Sequence, residues 1–208
     1  MISIHPKNII SSGKDLKDAT KVLIMIHGRG GSADDILSLS NYLNVKDFAL
    51  LAPQANNNSW YPYSFMAPLS QNEPWLTAAL MLVKETLNEA IAAGVKEENI
   101  YFLGFSQGAC LALEFVARNA TQFGGIVAFT GGFIGDRIYQ QNYKGDFKQA
   151  PVFIGSSDPD PHVPVARVHE TTQILQSMNA DVTQKIFPNM GHTITKEEIY
   201  FANELVFT

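Results

Sequence analysis

Polar and apolar positions along the chain alternate between two textures. The sharper one is an unbroken apolar run, Lys21-Val22-Leu23-Ile24-Met25-Ile26, which stops at the glycine-rich His27-Gly28-Arg29-Gly30-Gly31. A run without polar interruption suits a strand covered on both faces, as in a parallel sheet. Similar runs recur at 48–52, 100–103, 125–129 and 151–154, and a more mixed one at 182–187 predicts a strand nearer the sheet edge. Between them lie helical patterns at 32–43, 73–93, 106–118, 165–179 and 195–206. The first opens on Ser32, a plausible N-cap, with Asp34 and Asp35 in its first turn, where the helix dipole favours acids. The second stops before Gly94, a suitable C′ residue. The stretch 131–149 is polar and glycine-bearing, and predicts a long excursion loop with at most one helical turn.

Strand and helix alternate at βαβ spacing, with no internal repeat, low-complexity tract or linker. The expectation is one α/β domain over 1–208, a doubly wound, mostly parallel sheet flanked by helices. Composition narrows the picture. At 46% hydrophobic and 17% charged, the 208 residues can bury a large core, which excludes intrinsic disorder. Fifteen basic against 20 acidic residues give a net charge of −5, and no lysine or arginine run offers a footing for nucleic acid. The one cysteine, Cys110, cannot form an internal disulfide or a cysteine-based metal site. The stretch 1–10 contains Pro6 and lacks a basic-then-apolar leader pattern. No apolar run approaches the roughly 18 residues of a membrane span. A cytoplasmic protein is expected.

Chemistry enters at Gly104-Phe105-Ser106-Gln107-Gly108, between the strand 100–103 and a helix. A strand that turns abruptly into a helix forces the turn residue into a strained conformation and exposes its side chain. Glycines two residues either side remove Cβ atoms that would collide with the neighbouring strand and helix. The helix N-terminus behind Ser106 favours an anion there. A serine between glycines can also be a plain helix N-cap, but the strand before it and helix after it favour a nucleophile.

A serine hydroxyl needs an adjacent base, itself oriented by a third group, and on such a sheet the chain order is serine, acid, histidine. His5 and His27 precede Ser106. His169 lies inside a helix, and His162 shares the short loop of the acid candidates. His192, in a loop after the last strand, is left as the base; sites in open α/β sheets form at the carboxyl ends of strands. The loop after the strand 151–154 offers two acids, Asp158 and Asp160, either of which can instead merely shape an Asp-Pro turn. A metal held by Asp158, Asp160 and His162 lacks support from any second histidine cluster.

Acyl transfer also needs donors aimed at a developing oxyanion. The backbone N–H of Gln107 is one candidate, and that of Arg29, in the glycine-rich loop after the first long strand, is the other. That loop lacks both the phosphate-binding G-x-G-x-x-G spacing and a P-loop lysine. His27 is read as a brace for it. The aromatic segment 56–66 is read as pocket wall, through Trp60 and Tyr61. Arg29 and this segment suggest a small substrate, carboxylate-bearing or aromatic.

Together these residues resemble the phospholipase/carboxylesterase family of α/β-hydrolases, which includes the acyl-protein thioesterases. The resemblance runs from Val22 almost to the C-terminus, through His27-Gly28, Ser59-Trp60, Gly-Phe-Ser-Gln-Gly around Ser106, Asp-Pro-x-Val-Pro from Asp160, and Gly191-His192. It implies the α/β-hydrolase fold and the triad Ser106, Asp160 and His192, because the family's acid precedes Pro-x-Val-Pro. Counting the family's Gly-x-x-Asp spacing from Gly155 selects Asp158 instead. Arg29-Gly30-Gly31 departs from the thioesterases, which typically have an apolar residue, glycine and aspartate there. The chain has no insertion large enough for a lid domain. The expected activity is hydrolysis of carboxylic esters, thioesters included, through an acyl-enzyme, with no metal or organic cofactor. The expected partner is a small-molecule ester, with homodimerisation left open. Two rivals stand: a dienelactone hydrolase-like enzyme, whose usual nucleophile is cysteine where this chain has Ser106, and a non-catalytic binding protein on the same scaffold.

Overall fold

The computed structural model describes residues 4–208; Met1, Ile2 and Ser3, the start of the stretch read for a leader, lie outside the described residues. The strands are β1 (Ile9–Gly13), β2 (Lys21–Ile26), β3 (Phe48–Pro53), β4 (Ile100–Phe105), β5 (Gly125–Phe129), β6 (Pro151–Asp158) and β7 (Asp181–Pro188). The helices are α1 (Ala33–Leu37), α2 (Leu69–Asn72), α3 (Trp75–Ala92), α4 (Gln107–Arg118), α5 (Val165–Ser177) and α6 (Lys196–Leu205). The strands form one seven-stranded sheet in the order β1-β3-β2-β4-β5-β6-β7. Every pairing is parallel except that of β1 with β3. This is the mostly parallel, helix-flanked α/β sheet expected, and β7 is an edge strand as its mixed pattern implied.

The apolar runs divide by parity. Val22, Ile24 and Ile26 of β2 pack with Leu82, Leu113 and Leu175 beneath α3, α4 and α5, while Leu23 and Met25 face Ile36 and Ala202 beneath α1 and α6. Burial of both faces is why these strands read as continuous runs.

Several elements differ from expectation: α2 was not anticipated, β6 runs on to Asp158 through residues read as loop, and three further differences stand out. β1 was not anticipated: Ile9-Ile10-Ser11-Ser12-Gly13 is half exposed and carries little hydrophobic signal. The helix expected over 32–43 is α-helical only to Leu37 and continues as a 3-10 helix over Ser38–Tyr42. There Ser38 Oγ donates to the Asp35 carbonyl (2.6 Å), the local side-chain competition that weakens a helix interior. The excursion 131–149 has its single helical turn, Gln140–Asn142, yet Phe133, Ile134 and Phe147 within it are fully buried. Buried polar anchors hold it. Glu114 accepts the Ile134 N–H and the Tyr143 hydroxyl (both 3.1 Å), and Arg167 donates to the Phe133 and Gly135 carbonyls (2.8 and 2.7 Å).

Candidate active site

The carboxyl ends of β2, β4, β6 and β7 open onto one cleft of about 480 Å³, within the range of small-molecule sites. Ser106 follows β4 with φ +54 and ψ −118, the strained turn expected between strand and helix. The flanking glycines are sterically required. A Cβ on Gly104 would lie 2.4 Å from the Gly108 carbonyl oxygen, and one on Gly108 would lie 2.1 Å from that of Ile26. β2, β4 and α4 therefore meet closely enough to lift Ser106 out of the turn.

Two loops bring partners to it. His192, between β7 and α6, accepts from Ser106 Oγ at Nε2 (2.8 Å) and donates from Nδ1 to Asp160 Oδ2 (2.9 Å). The Asp160 side chain is fully buried, and that of His192 is 19% exposed. Burial alone would raise the Asp160 pKa, but the His162 N–H and Val163 N–H, each 2.8 Å from Oδ1, and the His192 bond outweigh it and hold the carboxyl below its usual range. Asp158 is exposed at the end of β6, and its carbonyl accepts the Asn189 N–H (3.0 Å). The geometry thus joins Asp160, and not Asp158, to His192. The His162 and His192 rings meet in a T-shaped pair with centroids 4.8 Å apart, closer to Ser106 than the sequence suggested. His169 is exposed on α5 beside Gln184.

The residues that carry the oxyanion candidates, Arg29 and Gln107, line the same cleft. Neither the Arg29 nor the Gln107 N–H has a protein acceptor among the described residues. Their side chains converge on one loop. Gln107 accepts the Trp60 N–H (3.0 Å) and donates to the Tyr61 carbonyl (2.8 Å). Arg29 donates to the carbonyls of Tyr61, Pro62 and Tyr63 and to Ser59 Oγ, at 2.8–3.1 Å. Sequence patterning could flag neither clamp, since all but one of these bonds, that to Ser59 Oγ, go to backbone atoms of a loop some thirty or more residues away in the chain. His27 does brace its loop: Nδ1 donates to the Gly28 carbonyl (2.7 Å) and Nε2 accepts the Ala55 N–H (3.1 Å).

Trp60 departs from expectation. It is fully buried beneath the cleft, not in its wall, with Nε1 donating to the His27 carbonyl (2.8 Å). The sequence showed an aromatic in a turn-rich loop but not that its indole packs on the His27 ring, 4.9 Å away. Tyr61 does line the cleft, with Tyr63, Phe65 and Cys110. Burial pushes the Cys110 thiol up to about 12, so it is no rival nucleophile. Among the described residues no group of three or more His, Cys, Asp or Glu could hold a metal ion.

A strand–serine–helix turn bonded to a histidine and a buried aspartate is a hydrolase arrangement, and sequence comparison agrees. The phospholipase/carboxylesterase family profile matches residues 6–207. The chain belongs to this family. It is a hydrolase acting on esters or thioesters. Acyl-protein thioesterase 1 of Saccharomyces cerevisiae is 27% identical, covering 88% of this chain and 90% of the yeast protein. A probable carboxylesterase of Arabidopsis thaliana, SOBER1-like, is 25% identical over 94% of this chain and 82% of its own length. The crystal structure of a phospholipase/carboxylesterase from Dyadobacter fermentans superposes with a TM-score of 0.97 at 55% identity, covering 98% of each chain. No helix of the described residues is long and apolar enough to cross a membrane.

Proposed function

We propose that the protein cleaves carboxylic esters, thioesters included, in two steps through an acyl-enzyme on Ser106. In the first, Ser106 Oγ bonds to the substrate carbonyl carbon while His192 Nε2 takes its proton. Asp160 keeps His192 in the tautomer that can accept at Nε2 and stabilises the imidazolium that results. The carbonyl oxygen, now an anion, is held by the Arg29 and Gln107 N–H groups, with the α4 N-terminus adding its dipole. When the carbon–oxygen or carbon–sulfur bond breaks, the alcohol or thiol leaves with the proton from His192. In the second step a water gives a proton to His192 and its oxygen to the acyl carbon. Ser106 then recovers its proton and the acid is released.

The observation that carries this reading is the continuous hydrogen-bond chain from Ser106 Oγ through His192 to Asp160. The same chain argues against a non-catalytic binding protein, which has no need of a strained serine. The chemistry is proposed to reside in one domain without a separate lid, in the cytoplasm, a setting that suits Cys110 as a buried free thiol.

Ser106→Ala tests the assignment. The variant should fold as the wild type does, because the turn contributes little core volume. Its turnover of a p-nitrophenyl ester should fall by about five to six orders of magnitude. Labelling by a fluorophosphonate should vanish with it. Turnover retained by Ser106→Ala would remove Ser106 as nucleophile.

A further inference from the structure

We propose that the cleft selects esters bearing a second, anionic group, a carboxylate, which Arg29 recognises; the inference rests on the hydrolase reading above. Apart from histidines, Arg29 is the only charged side chain lining the cleft among the described residues; the nearest carboxylate, Asp160, is bonded to the far side of His192. Among the described residues Arg29 has no carboxylate partner. Its four Nη–H bonds all go to neutral acceptors: Ser59 Oγ (3.1 Å) and the carbonyls of Pro62 (3.0 Å), Tyr61 (2.8 Å) and Tyr63 (2.8 Å).

Those dipoles fix the guanidinium in place without cancelling its charge. A guanidinium has five N–H donors and cannot shed its proton. The Nε–H is left without an acceptor among the described residues. A fixed positive charge with one unused donor is preorganised for a monoanion. The positive end of α4 at Ser106 adds the same sign. The molecule as a whole carries −5, which works against anions at long range, so the preference is a local one set at Arg29. A positive mouth favours anionic substrates over neutral ones.

Arg29 is exposed to solvent, which sets the scale: a modest preference, screened by salt. The test compares matched pairs by proton release. In one pair the carboxylate is on the acyl side, as ethyl hydrogen succinate against ethyl succinamate. In the other it is on the alcohol side, as 3-acetoxybenzoate against 3-acetoxybenzamide. The wild type should favour the charged member of at least one pair by about fivefold in kcat/KM at low ionic strength, and less in about 0.5 M KCl. Arg29→Lys, which keeps the charge but loses the fork, should retain much of that ratio. Arg29→Gln should abolish it, whatever happens to the rate on the neutral member.

Equal rates within both pairs for the wild type would overturn the proposal. So would Arg29→Gln slowing both members by the same factor, which would make Arg29 a loop clamp only. Failure of the wild type to hydrolyse any of the four esters, with no fluorophosphonate label on Ser106, would instead overturn the hydrolase reading and this inference with it.

Discussion

Asp158 and Asp160 stand two positions apart in one proline-rich loop, and environment alone separates them. The Asp160 side chain is buried and receives two backbone N–H groups as well as the His192 imidazole, whereas Asp158 is exposed to water. Asp160→Asn should therefore lower kcat by about four orders of magnitude at neutral pH, as loss of the orienting carboxylate does in other triads. Asp158→Asn should keep most of its kcat. Reversed outcomes in steady-state assays would move the acid to Asp158. Glu198 shows environment acting on an acid outside the chemistry. Oε2 accepts from the Thr195 N–H (2.9 Å), while Oε1 is buried without a partner. Burial pushes this carboxyl up to about 7, against the pull of the Thr195 bonds. The folded state thus holds the proton more tightly than the unfolded chain, whose glutamates titrate near about 4.3. Stability from this group is complete below that value and is lost as pH rises towards about 7. Glu198→Gln keeps an acceptor for Thr195 and removes the titration. The wild type should lose about 2–3 kcal/mol more than the variant between pH 5 and pH 8 in denaturant titrations. Parallel pH profiles would show that Glu198 does not titrate in this range.

Elements differ in how plainly the sequence announces them. β2 and β4 to β6 are covered on both faces, so their runs are continuous and were readable; β1 covers one edge, alternates weakly and was not. The turn at Ser106 was legible because its steric demands fall on two glycines of fixed spacing. The preference for Asp160 over Asp158 came from the family resemblance, the Pro-x-Val-Pro that follows it, and not from the loop itself, because the pairing depends on where β7 and α6 carry His192. Trp60, Gln107 and Arg29 were flagged as site residues, but their side chains act on backbone atoms, which leaves no pattern in a sequence. The junction of β2, β4 and α4 also gives the element-scale prediction. Gly108→Ala would force a Cβ to within 2.1 Å of the Ile26 carbonyl oxygen, a backbone atom that cannot swing aside. It should cost at least about 3 kcal/mol and nearly all turnover, since the start of α4, which carries Ser106, must move away from β2. Gly94→Ala, at φ +91 beyond α3 with nothing within 4 Å, should cost only about 1 kcal/mol and leave turnover unchanged. Chemical denaturation and a standard ester assay compare the two. Similar losses would mean that helix–strand spacing does not constrain this turn.

At the scale of the whole molecule, a half of the site carried by the sheet meets a half held by a tethered loop. Ser106, Asp160 and His192 ride on strand ends and short loops beside β4, β6 and β7, whereas the aromatic wall belongs to the segment between β3 and α2. That wall is tied to the excursion 131–149, whose Gly135 N–H donates to the Phe65 carbonyl (2.7 Å). The excursion is held in turn by Arg167 on α5, a side chain 4% exposed that donates to the Phe133 and Gly135 carbonyls. Its pairing with Glu170 lies at the surface and adds little. Arg167→Met would fill much of the same volume but leave two buried carbonyls without donors. Each such loss costs about 1–3 kcal/mol, so the melting temperature should fall by roughly 5–15 °C. The kinetic effect should be selective. Loosening Gly135 releases Phe65 and the cleft wall, so KM should rise by about three- to tenfold, while kcat, set by groups on the sheet, changes by less than about threefold. Thermal melts with steady-state kinetics measured well below the new transition separate the two effects. A fall in kcat with KM unchanged would mean that the excursion supports the triad and not the wall.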